Sequence, residues 1–211
     1  MITLVSELHR DVFWEDLADF DKPKPGDQLH VTLNNDEQVV FDVTKDESGK
    51  LFFVTNDCLA TSQMMGYETN INGWRGMSLR SYLNNDLFAL LPEELRAMIV
   101  PTRIVQVVRG QRIECEDKIF CLSKTQVFGR DHGEGDVWAS EEPEDTQLEI
   151  FKHRKNRIKL RGVNGDMTDW WLRSPDTAGS SHFRLVAREG IHYYGHADWR
   201  YGVCFSFCIQ S

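Results

Sequence analysis

Short runs of β-branched and aromatic residues stand near both ends of this chain. LHVTL, QVVFDVT and KLFFVTN come early, and Val203, Phe205, Phe207 and Ile209 alternate near the end. Asn34-Asn35-Asp36 and Asp46-Glu47-Ser48-Gly49 punctuate the early runs, which read as an antiparallel meander. The late alternation marks a final half-buried strand. Between them the period changes. Leu79, Tyr82, Leu83 and Leu87 form the apolar stripe of a helix over about 78–90, with Ser78 as its N-cap. Pro92 opens a second short helix with Leu95, Met98 and Ile99 inward, and Pro101 stops it. Thr102–Val108 and Lys118–Leu122 read as strands. Ser123 begins a turn or short helix to Phe128, Gly129–Asp145 is loop-like, and a helix is predicted near 146–154. Strands, then helices, then strands again specify an α+β fold with antiparallel strands and at least two short helices.

The first 26 residues are a separate matter. Leu4, Leu8, Val12, Phe13, Leu17 and Phe20 follow spacings of three and four, which predicts an amphipathic helix over 3–20 ended by Pro23, Pro25 and Gly26. Residues 1–26 are read as a helical arm that docks on the main domain or binds a partner, with docking favoured. Residues 27–211 carry no Gly/Pro/Ser linker and are treated as one domain. A chain of 211 residues can bury a core without staples.

Charge and cysteine usage remove several functions. Asp+Glu outnumber Lys+Arg 33 to 24, for a net charge of −9, and no basic face is evident, so nucleic acid is not an expected partner. No run reaches the roughly 18 apolar residues of a membrane helix. The N-terminus lacks the basic start and apolar stretch of a secretory signal, which predicts a cytoplasmic chain or one carried in a virus particle. Cys58, Cys115, Cys121, Cys204 and Cys208 are odd in number and form no CxxC pair, so they read as small buried hydrophobes. No cofactor or metal motif is read.

The last forty residues are the unusual part. Trp170-Trp171-Leu172-Arg173-Ser174-Pro175 puts two tryptophans on opposite faces of a strand. One fills the core, and the other packs on a second layer or a surface groove. Arg173 is placed to pair with an acidic group or stack on a ring. The stretch reads as a structural anchor. Residues 176–203 then show no clean period and are crowded with Tyr, Trp, His, Ser, Gly and Arg. Tyr and Trp offer large contact area with few torsions to freeze, and Ser and Gly adapt their hydrogen bonding, as in antibody paratopes. The segment is therefore expected to be an irregular, aromatic-studded surface region, either a contact surface or a solvated loop whose aromatics tuck back inward; composition alone does not choose between them.

At these residues the chain resembles the variable proteins of diversity-generating retroelements found in gut bacteria and their phages. WWLRSP at 170–175 matches the family's block, and Phe183, Val186, Gly190, Ala197 and Gly202-Val203 fall where its fixed residues stand. LRSYLNNDLFALLPEELRAMI and EDKIFCLSKTQVFG upstream also resemble that domain, so the likeness spans about residues 28–211. The resemblance implies a C-type-lectin-like fold with a long C-terminal ligand-presenting region, variable over about 176–201. It also implies adenine-directed retrotranscription that rewrites chosen codons, for recognition of variable, macromolecular targets such as a protein or cell-surface component. Carried over by position, the diversified, ligand-binding residues are Asp176, Ala178, Gly179, Ser181, His182, Leu185, Ala187, Arg188, Glu189, Ile191, His192, Tyr193, Tyr194, Gly195, His196, Trp199 and Tyr201. Thr177, Arg184, Asp198 and Arg200 depart from the pattern; of these, Arg184, Asp198 and Arg200 are additional contact candidates. Randomising both adenines of an AAY codon excludes Lys, Gln, Glu, Met and Trp. Residues 176–201 contain no Lys, Gln or Met, whereas Glu189 and Trp199 require another template codon or are fixed.

The implied fold family includes formylglycine-generating-type oxidases, for which Cys204 and Cys208 are the candidate pair. No Lys, Arg or His adjoins them in sequence to lower a thiol pKa, and no enzymatic activity is expected. Asp131, Glu134 and Asp136 form a loop that could hold an ion, though such runs are usually solvated. His192 and His196 have the i, i+4 spacing of a helical zinc pair, but Gly195 argues against a helix. A last alternative is a phage or virion assembly protein docked through residues 1–26.

Overall fold

The computed structural model describes residues 11–13, 23–67, 69–130 and 141–209. β1 (Asp11–Phe13) lies parallel beside β2 (Gln28–Thr32), which pairs antiparallel with β3 (Gln38–Lys45), and that with β4 (Leu51–Thr55). The meander is thus as the sequence predicts. Val39, Phe41 and Val43 of β3 point inward and are buried, as a period of two requires. β1 corrects the helix predicted over 3–20 at those three residues: the open edge of β2 offers main-chain partners, and pairing there replaces local helical bonds. The remainder of that segment, most of the 1–26 arm, lies outside the described residues, as does the Asp131, Glu134, Asp136 loop.

After the two-residue strand β5 (Gln63–Met64), α1 (Ser78–Tyr82) runs into a wider π turn (Leu83–Leu87) and then α2 (Phe88–Leu90), together the predicted 78–90 helix. Leu79, Leu83 and Leu87 are buried. Ser78 is not the N-cap. Met77 holds that position, and Ser78 is the first helical residue, its hydroxyl 3.5 Å from the Met65 carbonyl. α3 (Glu93–Met98) follows Pro92, and Ile99 belongs to the next strand, β6 (Ile99–Val100).

β7 (Thr102–Val108) and β8 (Gln111–Asp117) form a hairpin through Arg109 and Gly110, both at positive φ (49° and 78°). The strand expected over 118–122 does not form. Its main-chain groups are satisfied one at a time. Asn84 Oδ1 accepts from the Lys118 and Ile119 amides, Asn84 Nδ2 donates to the Ile119 carbonyl, and Phe120 exchanges bonds with Ser206. α4 (Lys124–Phe128) starts at Ser123 with a complete capping box to Gln126. The helix predicted near 146–154 is instead two 3-10 turns, Glu149–Lys152 and Arg154–Arg157, split by an extended His153.

β9 (Lys159–Leu160) and β10 (Met167–Thr168) make a small ribbon. β11 (Trp170–Asp176), β12 (His182–Val186) and β13 (His192–His196) make an antiparallel three-stranded sheet. β14 (Arg200–Tyr201) pairs with β5, and β15 (Ser206–Ile209) inserts between β4 and β6, closing a sheet of order β1-β2-β3-β4-β15-β6. Residues 176–203 therefore carry the regular strands β12, β13 and β14 between turns and loops, which corrects in part the irregular tail expected from their composition. β15 is not half-buried either: its central place buries Val203 through Cys208, with Phe207 stacked on Phe53 at 5.0 Å. The chain is mixed α+β, mostly short antiparallel strands with few short helices. Among the described residues no helix is long and apolar enough to cross a membrane.

Candidate functional site

The anchor stretch behaves as a framework. Trp170 and Trp171 are both fully buried, and their indole N–H groups donate to the Arg157 and Gln63 carbonyls at 2.9 and 2.8 Å. β11 pairs Trp171 with Leu185 and Pro175 with Phe183, so the strand carries a bulge between them. The bulge aims Arg173 and Ser174 into the interior. Arg173 donates to the Cys121 carbonyl, Gln126 Oε1 and Asp145, and its guanidinium lies 5.6 Å from the Phe120 ring centre. Ser174 donates to Glu142 at 2.6 Å. Leu172 and Pro175 are buried as well.

Past the anchor, burial divides the chain sharply. Phe183, Val186, Gly190, Ala197, Gly202 and Val203 are all buried. Ala178, Arg188, Glu189, Ile191, Tyr193, Tyr194, His196, Asp198, Trp199 and Arg200 are exposed, and Thr177, Gly179, Ser181, His182, Ala187, His192 and Tyr201 are half-buried. Four expected contact residues do not reach the surface. Leu185 is core. Asp176 and Arg184 are buried and face each other at 3.5 Å, and Asp176 also accepts from the Ala178 amide. Gly195 lies under Tyr201, whose ring a Cβ there would meet at 2.7 Å.

The exposed rings form a chain of contacts. Tyr193 stacks on Tyr194 at 5.1 Å; Tyr194 tilts against His182; His182 meets His196 at 4.3 Å; His196 reaches Trp199; and Trp199 reaches Tyr201. Tyr201 packs edge-on against buried Trp171 at 4.7 Å, tying the belt to the core. Burial, followed by the charges of Asp169 and Tyr193, raises the Tyr201 phenol pKa. His182 and His196 face each other across β12 and β13, whereas His192 packs on Phe128, so the i, i+4 histidines lie on a strand and do not act as a helical pair. Among the described residues no group of three or more His, Cys, Asp or Glu is arranged to hold a metal ion.

Framework side chains hold this region by its main chain. Asn70 Nδ2 lies 2.8 Å from the carbonyls of Asp176, Gly179 and His182, and the Asn70 amide donates to the Ser180 carbonyl. Arg109, raised on its hairpin turn, donates to Asn70 Oδ1 and to the Thr177 and Gly179 carbonyls. Asp169 accepts from the Arg188 amide, and Arg154 donates to the Glu189 carbonyl. A cleft of about 590 Å³ is lined by Arg161, Met167 and Asp169 together with Arg188, Ile191, Tyr193 and Tyr201. Sequence reasoning missed Asn70, Arg109, Arg161, Met167 and Asp169, because they lie far from the segment or outside its composition bias. The positive φ of Arg109 has no sequence signal of its own.

The paired-thiol chemistry finds no footing. Cys204 and Cys208 are buried, and burial raises both thiol pKa values, the opposite of what a nucleophile needs. Cys204 is engaged with Thr55, whose hydroxyl lies 3.1 Å from its Sγ.

No curated protein and no solved structure matches the chain. A family model described as a domain of unknown function, DUF6273, matches residues 48–211, from the turn between β3 and β4 through the anchor, the aromatic belt and β15, and the chain belongs to that family.

Proposed function

We propose that this protein is a non-enzymatic binding module of the diversity-generating retroelement type, a C-type-lectin-like framework that displays a mutable face over about 177–201. The observation that carries the reading is the division of burial after Pro175. The positions expected to be fixed are inside, and 14 of the 17 expected to vary are exposed or half-buried. Main-chain anchoring by Asn70, Arg109, Asp169 and Arg154 supports it, because bonds to carbonyls and amides survive a change of side chain. Asp176, Arg184, Leu185 and Gly195 drop out of the face.

Recognition is by non-covalent contact. Tyr193, Tyr194, Trp199 and Tyr201 are rigid anchors, Arg188 and Arg200 are charged contacts, and Ser and Gly positions supply adaptable hydrogen bonds. A broad exposed belt suits a macromolecular surface, and the cleft below it takes one protruding group of that partner. Sequencing the flanking DNA tests the origin. The expected result is a near-copy of the 3′ end, richer in adenine, beside a reverse transcriptase gene. Sibling chains should differ at the exposed positions and keep Phe183, Leu185, Val186 and Ala197. Siblings that vary equally in the core overturn the reading.

A further inference from the structure

A second site lies away from the aromatic belt. The two 3-10 turns bring an unusual density of cations into a chain of net charge −9: Lys152, Arg154, Lys155 and Arg157 stand within six residues. Arg157 is only 8% exposed. Its Nε donates to the Phe151 carbonyl at 2.9 Å, its own carbonyl accepts from Trp170, and its guanidinium lies 4.7 Å from the Phe128 ring centre. Those contacts hold the guanidinium over the Phe128 ring and, among the described residues, give it no anionic partner. Among the described residues no carboxylate stands within ion-pairing distance of Arg157, Lys152 or Arg130.

All three cations line one open cavity of about 570 Å³ together with Thr146 and, among the described residues, one acid, Glu47. Arg130 is held there by bonds to the Pro143 and Asp145 carbonyls. A guanidinium cannot shed its proton in a protein, and burying one without a counter-charge is costly. Burial, and then Arg154, act to lower the Arg157 pKa, the direction of a charge lacking a partner. A planar guanidinium backed by an aromatic ring presents paired N–H donors that match a tetrahedral oxyanion, and an ammonium beside it adds a mobile third donor.

We propose that this cavity is an anion site for a phosphoryl group, free or carried on a small phosphomonoester, with Arg157 as the fixed donor fork, Lys152 and Arg130 as flanking charges and the Thr146 hydroxyl as a neutral donor. The site takes none of its lining from the variable face, which meets it where His192 packs on Phe128.

Calorimetric titration of the full chain with inorganic phosphate, phenyl phosphate and acetate, at matched ionic strength in an amine-free buffer, tests this. One saturable site is expected for phosphate or phenyl phosphate, with the tighter of the two identifying the source. Lys152→Gln, an exposed change that leaves the fold alone, should weaken it several-fold. Arg157→Lys should weaken it by about tenfold, since an ammonium cannot offer the fork. Thermal melts of each variant separate lost binding from lost folding. A Tyr193→Ala, Trp199→Ala double variant should bind phosphate as the unaltered protein does. Equal isotherms for Lys152→Gln and the unaltered chain, acetate binding as tight as phosphate, or no saturation would each overturn the proposal.

Discussion

Neighbouring side chains in the C-terminal segment have opposite physical duties. Leu185 and Tyr193 are cross-strand partners, yet Leu185 is fully buried and Tyr193 is 56% exposed. Leu185→Ala removes buried methyl groups and leaves a cavity, at a cost of about 2–5 kcal/mol. Tyr193→Ala and Trp199→Ala remove groups that water already reaches, and each should change stability by less than about 1 kcal/mol. Urea denaturation of the three variants checks this contrast. A large loss for Trp199→Ala would make the belt part of the core and remove the basis of the binding face. The sequence showed the segment to be rich in contact-forming residues, but it gave Leu185 and Tyr193 the same role. Strand alternation does not separate them, because directly paired residues share a face of the sheet; what covers each one does, and that is set by distant parts of the chain.

At the scale of elements, the bulge in β11 joins the anchor to the rest of the molecule. It turns Arg173 toward α4 and Asp145, and the residue that completes the α4 capping box, Gln126, also accepts from Arg173. Arg173→Ala would strand several polar partners inside the protein, a loss of about 3–5 kcal/mol for a buried charged network. Arg173→Lys should recover only part of it, because one ammonium cannot span the partners that the guanidinium reaches. Denaturation midpoints of the two variants are the measurement. The sequence placed α4 and the paired tryptophans correctly because their signals are local: a serine cap three residues before glutamine, and a tryptophan pair ending at proline. It misplaced the strand at 118–122 because the partners of those amides and carbonyls, Asn84 and Ser206, are distant in the chain. The missed strand β8 has Asp117 on its inward face, balanced by Arg80 and the Trp74 indole, which breaks the apolar alternation a reader looks for.

For the whole molecule, the buried thiols set an alkaline limit. Burial raises the pKa of Cys58, Cys115, Cys121, Cys204 and Cys208 above ordinary values, with Cys115 pushed up to about 11. A folded-state pKa above the unfolded one means that the unfolded chain releases thiol protons first. The stabilisation is complete below the ordinary thiol range, near about pH 8.5, and is lost as pH rises through the folded values. Urea midpoints measured from pH 7 upward should therefore fall beyond about pH 9, and Cys115→Ser should remove only its own share of the fall. Thiol labelling of the folded chain at pH 8 should reach half-buried Cys115 first and leave Cys204 untouched. Rapid labelling of Cys204 would contradict the burial on which the non-enzymatic reading leans.

What the sequence determined by itself is what rests on neighbours a few residues away: the meander, the 78–90 helix, the capped turn at Ser123, the anchor at 170–175 and the acidic balance. Local periodicity and caps encode these directly. What only the tertiary structure decided is which side chains of 176–201 face water, how their main chain is held by Asn70 and Arg109, and that Arg157 is buried with no carboxylate paired to it among the described residues. Those outcomes depend on contacts between residues far apart in the chain, which no local period records.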